Sequence, residues 1–270
     1  MYEEPYKWVE AVGNRRQYLD EQFKQGSPVV ALAFDAGILL MTVSKGTPKL
    51  YEIYDRLALG GMGHPADLEK LRFSLLEMAH VEGFNRSPSD VTGSRMVKYG
   101  IAPMIKQAFE EIFKAPFIVK ILLAELGQKA GRDTFLVINY DGTFEESTHC
   151  AVLAASKSVE HDMVTYLQQP SSAGLSLEQA VAVALQVWAL GDRSQRKAQE
   201  DVPGEGQDVT AKSIAPDSAA LYAHLRETVM EKTIECAVLD RTQAGPSKYR
   251  TLTSHELGRL LPTDIKTSFT

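Results

Sequence analysis

Cysteine is scarce in this chain. Cys150 and Cys236 are the two present, far apart, so no disulfide framework is expected, which fits a reducing compartment. Long apolar runs are missing too. No stretch approaches the roughly 20 residues that a helix needs to cross a bilayer, and the leading MYEEPYKW lacks the profile of a secretory signal. Positive charge is also short: the formal net charge is -6. Neither nucleic acid nor an anionic membrane surface is therefore an expected partner. The six histidines are scattered. His149 and Cys150 are neighbours in an expected strand and point to opposite faces, and His161-Asp162 has no second ligand at a useful spacing. No metal, no cofactor and no internal repeat is expected. What remains is a cytoplasmic globular protein, long enough at 270 residues to bury a large core.

The periodicities divide the chain into blocks. Residues Tyr6 to Gln25 set Trp8, Val12, Leu19 and Phe23 along one helical face, with Gly13 weakening the helix by about 1 kcal/mol relative to alanine. Apolar strands are expected at Pro28–Phe34 and Ile38–Val43, joined at Asp35-Ala36-Gly37, with a third apolar run at Arg56–Met62. Leu68, Leu71, Leu75 and Met78 then recur at helical spacing behind Asp67 as the cap. A second helix is expected from about Ser89 to Phe113, with Val97, Ile101, Met104, Ala108 and Ile112 on one face and a kink or restart at Pro103.

The almost wholly apolar Phe117–Leu126 reads as a strand covered on both faces. Asp141-Gly142 marks a two-residue hairpin turn, and His149–Ala155 forms a further strand. Helices follow at Val159–Gln168 and Ser176–Leu190, the second opened by Ser176 and Gln179 at capping-box spacing and stopped by Gly191. The polar run from Asp192 onward, to about residue 219, is expected to be an exposed, mobile insertion. A short helix, strands at Thr233–Leu239 and Lys248–Leu252, and a helix over Thr253–Leu261 complete the pattern. Strands and paired helices in alternating blocks predict an α+β protein of two sheets between helix pairs.

Most candidate chemistry has a plainer reading. The glycines of Ala58–Lys70 fit neither the dinucleotide fingerprint nor a Walker loop, and a tight strand-to-helix turn accounts for them better. The carboxylate pairs Glu110-Glu111 and Glu145-Glu146 sit on expected solvated faces. One feature stands apart. The stretch QGSPVVALAFDAGILL places Gly26-Ser27 immediately before the first strand.

From there a resemblance becomes specific. SPVVALAFDAGILL, YEIYDRLALGGMG, NRSPSDVTGSRM, INYDGT and IECAVLD, in that order, resemble a proteasome subunit, nearest to the α type of the bacterial core particle. The resemblance covers nearly the whole chain except the charged insertion. It implies the four-layer αββα sandwich of the N-terminal-nucleophile hydrolases, preceded by a helix of α type. Residues 1–25 are then gate residues and an outer helix, and 26–270 one domain.

In the family's catalytic members, self-cleavage frees a threonine whose own α-amino group, titrating near about 7.7–8.0, acts as general base. Here Ser27 holds the threonine position, followed by Pro28, and Val43 stands where the catalytic aspartate would be. Ser27 is expected to be a degenerate nucleophile and no residue is expected to be catalytic. Lys49 matches the family's lysine, without the carboxylate. Taken alone it reads as a solvated lysine at a strand end. The resemblance implies instead that it lies between neighbouring subunits and receives the C-terminal carboxylate of a ring-shaped ATPase or other activator.

The resemblance further implies a seven-membered ring of identical chains on a ring of β-type subunits. Tyr2, Glu3, Glu4 and Pro5 would gate the passage of unfolded protein substrates. The alternatives are a self-processing peptidase that loses residues 1–26 and uses Ser27, and a ring-forming homologue without a β partner.

Overall fold

A computed structural model describes residues 5–111, 113–168, 174–200, 218–262 and 265. Helix α1 (Pro5–Phe23) leads into strands β1 (Val29–Phe34), β2 (Gly37–Ser44), β3 (Leu50–Tyr54) and β4 (Leu57–Gly63). Helices α2 (Pro65–Asn85), α3 (Gly93–Met96) and α4 (Ala102–Glu110) follow, then strands β5 (Val119–Glu125), β6 (Thr134–Ile138), β7 (Phe144–Ser147) and β8 (Cys150–Leu153). Helices α5 (Lys157–Leu167), α6 (Leu177–Glu200) and α7 (Ser218–Val229) precede β9 (Thr233–Asp240), β10 (Tyr249–Thr251) and α8 (Ser254–Leu260).

The strands form two five-stranded sheets, in the orders β10-β9-β2-β1-β8 and β3-β4-β5-β6-β7. Every pairing is antiparallel. Side chains alternate across a strand, and β1 uses both sides. Val30 and Leu32 face α5, α6 and α7. Val29 and Ala31 face the second sheet, where they meet Leu122, Ala124 and Phe135. The outer side of that second sheet is covered by α2 and α4 through Leu71, Leu75 and Ile105. These three apolar layers are those of an αββα sandwich, and the fold class is as expected.

Several local expectations change. The strand β3, absent from the sequence reading, carries only two buried residues in its half-exposed run. The cap of α2 is His64, whose Nδ1 accepts from the Ala66 N–H. Asp67 instead accepts from the Ile118 N–H at 2.9 Å and ties the helix to the start of β5. The glycines Gly60 and Gly61 lie inside β4 rather than in a turn. A Cβ on Gly61 would sit 2.2 Å from Leu68, so the glycine lets α2 lie close on the sheet. The long helix expected through Phe113 is broken. Val97–Ile101 forms a π turn immediately before Pro103, which accommodates the missing N–H of the proline. Ile112 lies outside the described residues. The Asp141-Gly142 turn is longer than two residues: Asn139 and Thr143 close it, with Gly142 left-handed at φ 80°.

The largest correction concerns Gly191, which does not stop a helix. It lies within α6, where a Cβ would fall 2.5 Å from Met163 Sδ and 3.2 Å from Pro28 Cγ. Its lack of a side chain lets α6 approach α5 and the start of β1. The insertion therefore does not begin at Asp192. Residues 192–200 continue α6 with Asp192 and Gln195 buried, and residues 201–217 lie outside the described residues.

Candidate functional site

Ser27 sits just before β1, buried, and its hydroxyl has fixed partners on each side. It donates to the Val43 carbonyl and accepts from the indole N–H of Trp188 at 3.1 Å. Thr42 Oγ1 lies 3.5 Å away and donates to the Pro28 carbonyl at 2.7 Å. A nucleophilic hydroxyl needs a base to take its proton. The acceptor at Ser27 is a backbone carbonyl, which has no such basicity. The group acts as a buried link between β1, β2 and α6.

The leading helix closes this end of the sandwich. Leu19 and Phe23 are fully buried in the layer between the two sheets, and the Phe23 ring stacks on Tyr140 at 5.8 Å. Tyr140 donates to Asp20 at 2.9 Å, and Arg15 donates to the carbonyls of Ala108, Phe109 and Glu111 at the end of α4. Those carbonyls have no partner within their own helix, so Arg15 serves as its cap. Trp8, expected on the buried face, is 49% exposed because the first half of α1 overhangs the sheets. An opening of about 340 Å³ remains under α1, lined in part by Asp20, Lys24, Tyr140 and Gln195. Gln195 bridges the Gly26 carbonyl and the Ala155 N–H on the floor of this opening. Ser27 does not line it.

Lys49 lies just beyond this same end of β2, half-buried rather than solvated. A carboxylate does accompany it. Glu235 on β9 accepts from the Lys49 N–H at 3.0 Å and from the Leu50 N–H at 2.9 Å. Sequence reading looked for a carboxylate on β2, where Val43 stands; it comes from β9, brought alongside by the pairing of Thr42 with Glu235. Burial holds the Lys49 ammonium below the ordinary lysine range, against the pull of Glu235, and the charge of Lys232 adds to the effect. Burial likewise pushes the Glu235 carboxyl up, against its backbone hydrogen bonds.

Beside it lies a polar cluster that the sequence reading missed. Asp192 Oδ2 receives Arg196 Nε at 2.8 Å and His224 Nε2 at 2.9 Å, while Lys232 Nζ stands 3.8 Å from Oδ1. The Lys232 ammonium also lies 5.8 Å from the centre of the Trp188 ring. Burial first, and then the charges of Arg196 and Lys45, hold Lys232 below its ordinary value against the upward pull of Asp192 and Glu231. Extending the helical period past Gly191 would have found Asp192, since it follows the buried Trp188 by four positions.

Tyr2, Glu3 and Glu4 lie outside the described residues, and Pro5 is the first residue of α1. The Cys236 thiol is pushed up to about 12 by burial and then by Glu235, and burial also raises that of Cys150. Among the described residues no group of three His, Cys, Asp or Glu side chains is placed to hold a metal ion, and no helix is long and apolar enough to cross a membrane. Glu145 and Glu146 are exposed on β7, and Glu110 is exposed on α4 with Glu111 half-buried.

The profile of the proteasome subunit family matches residues 23–200, from the end of α1 to the end of α6. Among curated proteins, the proteasome subunit alpha of Saccharopolyspora erythraea is 28% identical over 248 residues, covering 91% of this chain and 82% of that protein. The proteasome subunit alpha of Streptomyces scabiei is 25% identical over 265 residues, 96% of this chain and 92% of its own length. That of Kineococcus radiotolerans is 28% identical over 238 residues, 86% and 90%. The matched region holds the Ser27 strand, α6 and every strand of the two sheets except β9 and β10, and the chain belongs to the proteasome subunit family.

Proposed function

We propose that this chain is the noncatalytic α-type subunit of a bacterial proteasome core particle. Seven copies close a ring by head-to-tail contacts. The ring caps β-type subunits that hold the peptidase activity, in the cytoplasm. Residues Tyr2 to Pro5 gather at the ring axis and restrict the entry of unfolded chains. Lys49 receives the terminal carboxylate of a ring-shaped ATPase or other activator.

The observation that carries this reading is the attachment of α1. A leader destined for removal would not supply Leu19 and Phe23 to the central core, nor cap α4 through Arg15. Cutting before Ser27 would also leave its hydroxyl bonded to Val43 and Trp188. An assembling subunit also suits α2, which leaves Phe73 and Phe84 61% and 90% exposed, a surface that monomers of this size tend to cover.

The test is co-expression with a threonine-started β-type partner. The intact mass of this chain should include residues 1–26, and Lys49→Ala should assemble fully yet lose stimulation by the ATPase. A chain that begins at Ser27 in the active particle would overturn the noncatalytic reading, and undiminished ATPase stimulation in Lys49→Ala would overturn the docking role.

A further inference from the structure

We propose that Lys232 is a second recognition cation beside Lys49, and that the two ammonium groups together hold a chain-terminal carboxylate. This rests on the reading of Lys49 as an activator site and names the residue that completes it.

The backbone places the two lysines at one end of one sheet. Ser44, the last residue of β2, pairs with Thr233, the first of β9. The loop leaving β2 with Lys45 and the residue entering β9, Lys232, therefore emerge side by side. Lys49 returns to the same place because its own N–H is fixed on the Glu235 carboxylate at 3.0 Å. Lys232 is held from the other side, with its ammonium near the Trp188 ring and its side chain only 17% exposed.

Charge is unbalanced there. Lys45, Lys49, Arg196 and Lys232 face three carboxylates, Asp192, Glu231 and Glu235. Glu231 is exposed, and the two withdrawn carboxylates already have partners. Glu235 accepts from two backbone N–H groups, and Asp192 Oδ2 accepts from Arg196 and His224. Lys232 at 3.8 Å from Oδ1 is outside hydrogen-bond range. Among the described residues, neither Lys49 Nζ nor Lys232 Nζ makes a hydrogen bond, although both side chains are largely withdrawn from water. An ammonium that is desolvated and without an acceptor is costly to keep. One compact anion with two oxygens removes the cost at both lysines, through charge-assisted bonds. The depression of both lysines below their ordinary range, by burial first and by neighbouring positive charge after it, agrees with an anion being absent from a place suited to one.

The probe is a pooled library of short peptides with free carboxyl ends, presented to the assembled ring, with each retained peptide remade as its C-terminal amide. Retained peptides should lose their binding as amides, and Lys49→Ala should abolish it. Lys232→Met keeps an apolar stem against Trp188 and removes the charge. It should weaken the free acids about tenfold, the worth of one charge-assisted hydrogen bond, while the residual binding of the amides stays the same. Lys232→Arg should restore most of the affinity, which a purely structural role for the lysine would not predict. Should Lys232→Met impair assembly, Lys232→Gln and Lys232→Arg carry the same comparison. Full affinity in Lys232→Met beside lost affinity in Lys49→Ala overturns this inference and leaves Lys49 as the docking residue. A wild-type ring that holds acids and amides equally overturns both.

Discussion

Ser27 and Lys232 touch the same indole from different sides. Trp188 donates its N–H to the Ser27 hydroxyl at 3.1 Å and presents its ring to the Lys232 ammonium at 5.8 Å. At the Ser27 side the polar groups are satisfied within the chain: hydroxyl to carbonyl, indole to hydroxyl, Thr42 to Pro28. At the Lys232 side they are not, because four cations share three carboxylates, of which Glu231 is exposed and Asp192 and Glu235 already have partners. A polar group paired internally has little left to offer a ligand, whereas a desolvated charge without an acceptor still has most of its interaction energy available. The residue that occupies a catalyst's position is thus the inert one, and the lysine pair beyond the same end of β2 is where the proposed partner would be recognised.

The sharpest way to break this contrast is through the residue common to both sides. Trp188 is fully buried, and Trp188→Ala should lower stability by about 3–5 kcal/mol, read from denaturant midpoints, while also freeing Lys232 and weakening its anion site. A loss confined to one of the two sides would show that the indole does not join them. A smaller effect is expected at the satisfied side alone. Ser27→Ala leaves the Trp188 N–H without its acceptor and should cost about 1–3 kcal/mol, with peptide binding and the peptidase activity of the co-assembled particle unchanged. Activity that vanished with the hydroxyl, in a particle that still assembles, would restore the catalytic reading.

How far this contrast was legible in the sequence differs between the two sides. The near-continuous apolar runs Pro28–Phe34, Ile38–Val43 and Phe117–Leu126 were enough to place the sheets, because strands buried on both faces leave little else for such residues to do. Ser27 was legible by its position before β1. Its inertness had to be argued from Pro28 and Val43, whereas the hydrogen bond from Trp188 joins residues far apart in the chain and follows no local pattern. Lys49 was found only through resemblance, since a lysine at a strand end has no distinctive spacing. Asp192 was lost to a single misreading: Gly191 looked like a helix stop, and the charged residues after it then read as a loop; Lys232, just before the strand from Thr233, has no distinctive spacing. A glycine chosen for close contact and a glycine chosen for a left-handed cap are identical in sequence, and only the neighbours, here Met163 and Pro28, tell them apart.

The smallest expected effect sharpens the comparison through pH. Burial pushes the Asp192 carboxyl up, but the His224 hydrogen bond and the charges of Lys232 and Arg196 outweigh it and hold the group below its ordinary 3.8. With its folded value depressed, the carboxylate binds fewer protons in the folded chain than in the unfolded one. Its contribution is therefore present above 3.8 and is lost as pH falls through the folded value. The groups facing it are His224, Arg196 and Lys232, all able to carry positive charge, so a protonated Asp192 leaves them without their counter-ion. The stability advantage of the wild type over Asp192→Asn should consequently shrink as the solution is acidified below 3.8, measured as the difference between their urea midpoints. The deficit of Ser27→Ala should stay constant over the same range, because neither the indole, the hydroxyl nor the Val43 carbonyl titrates there. If the Asp192→Asn gap were equally flat, the carboxylate would be balancing no charge in the folded chain, and the excess of cations around Lys232 would have to be neutralised by some other group.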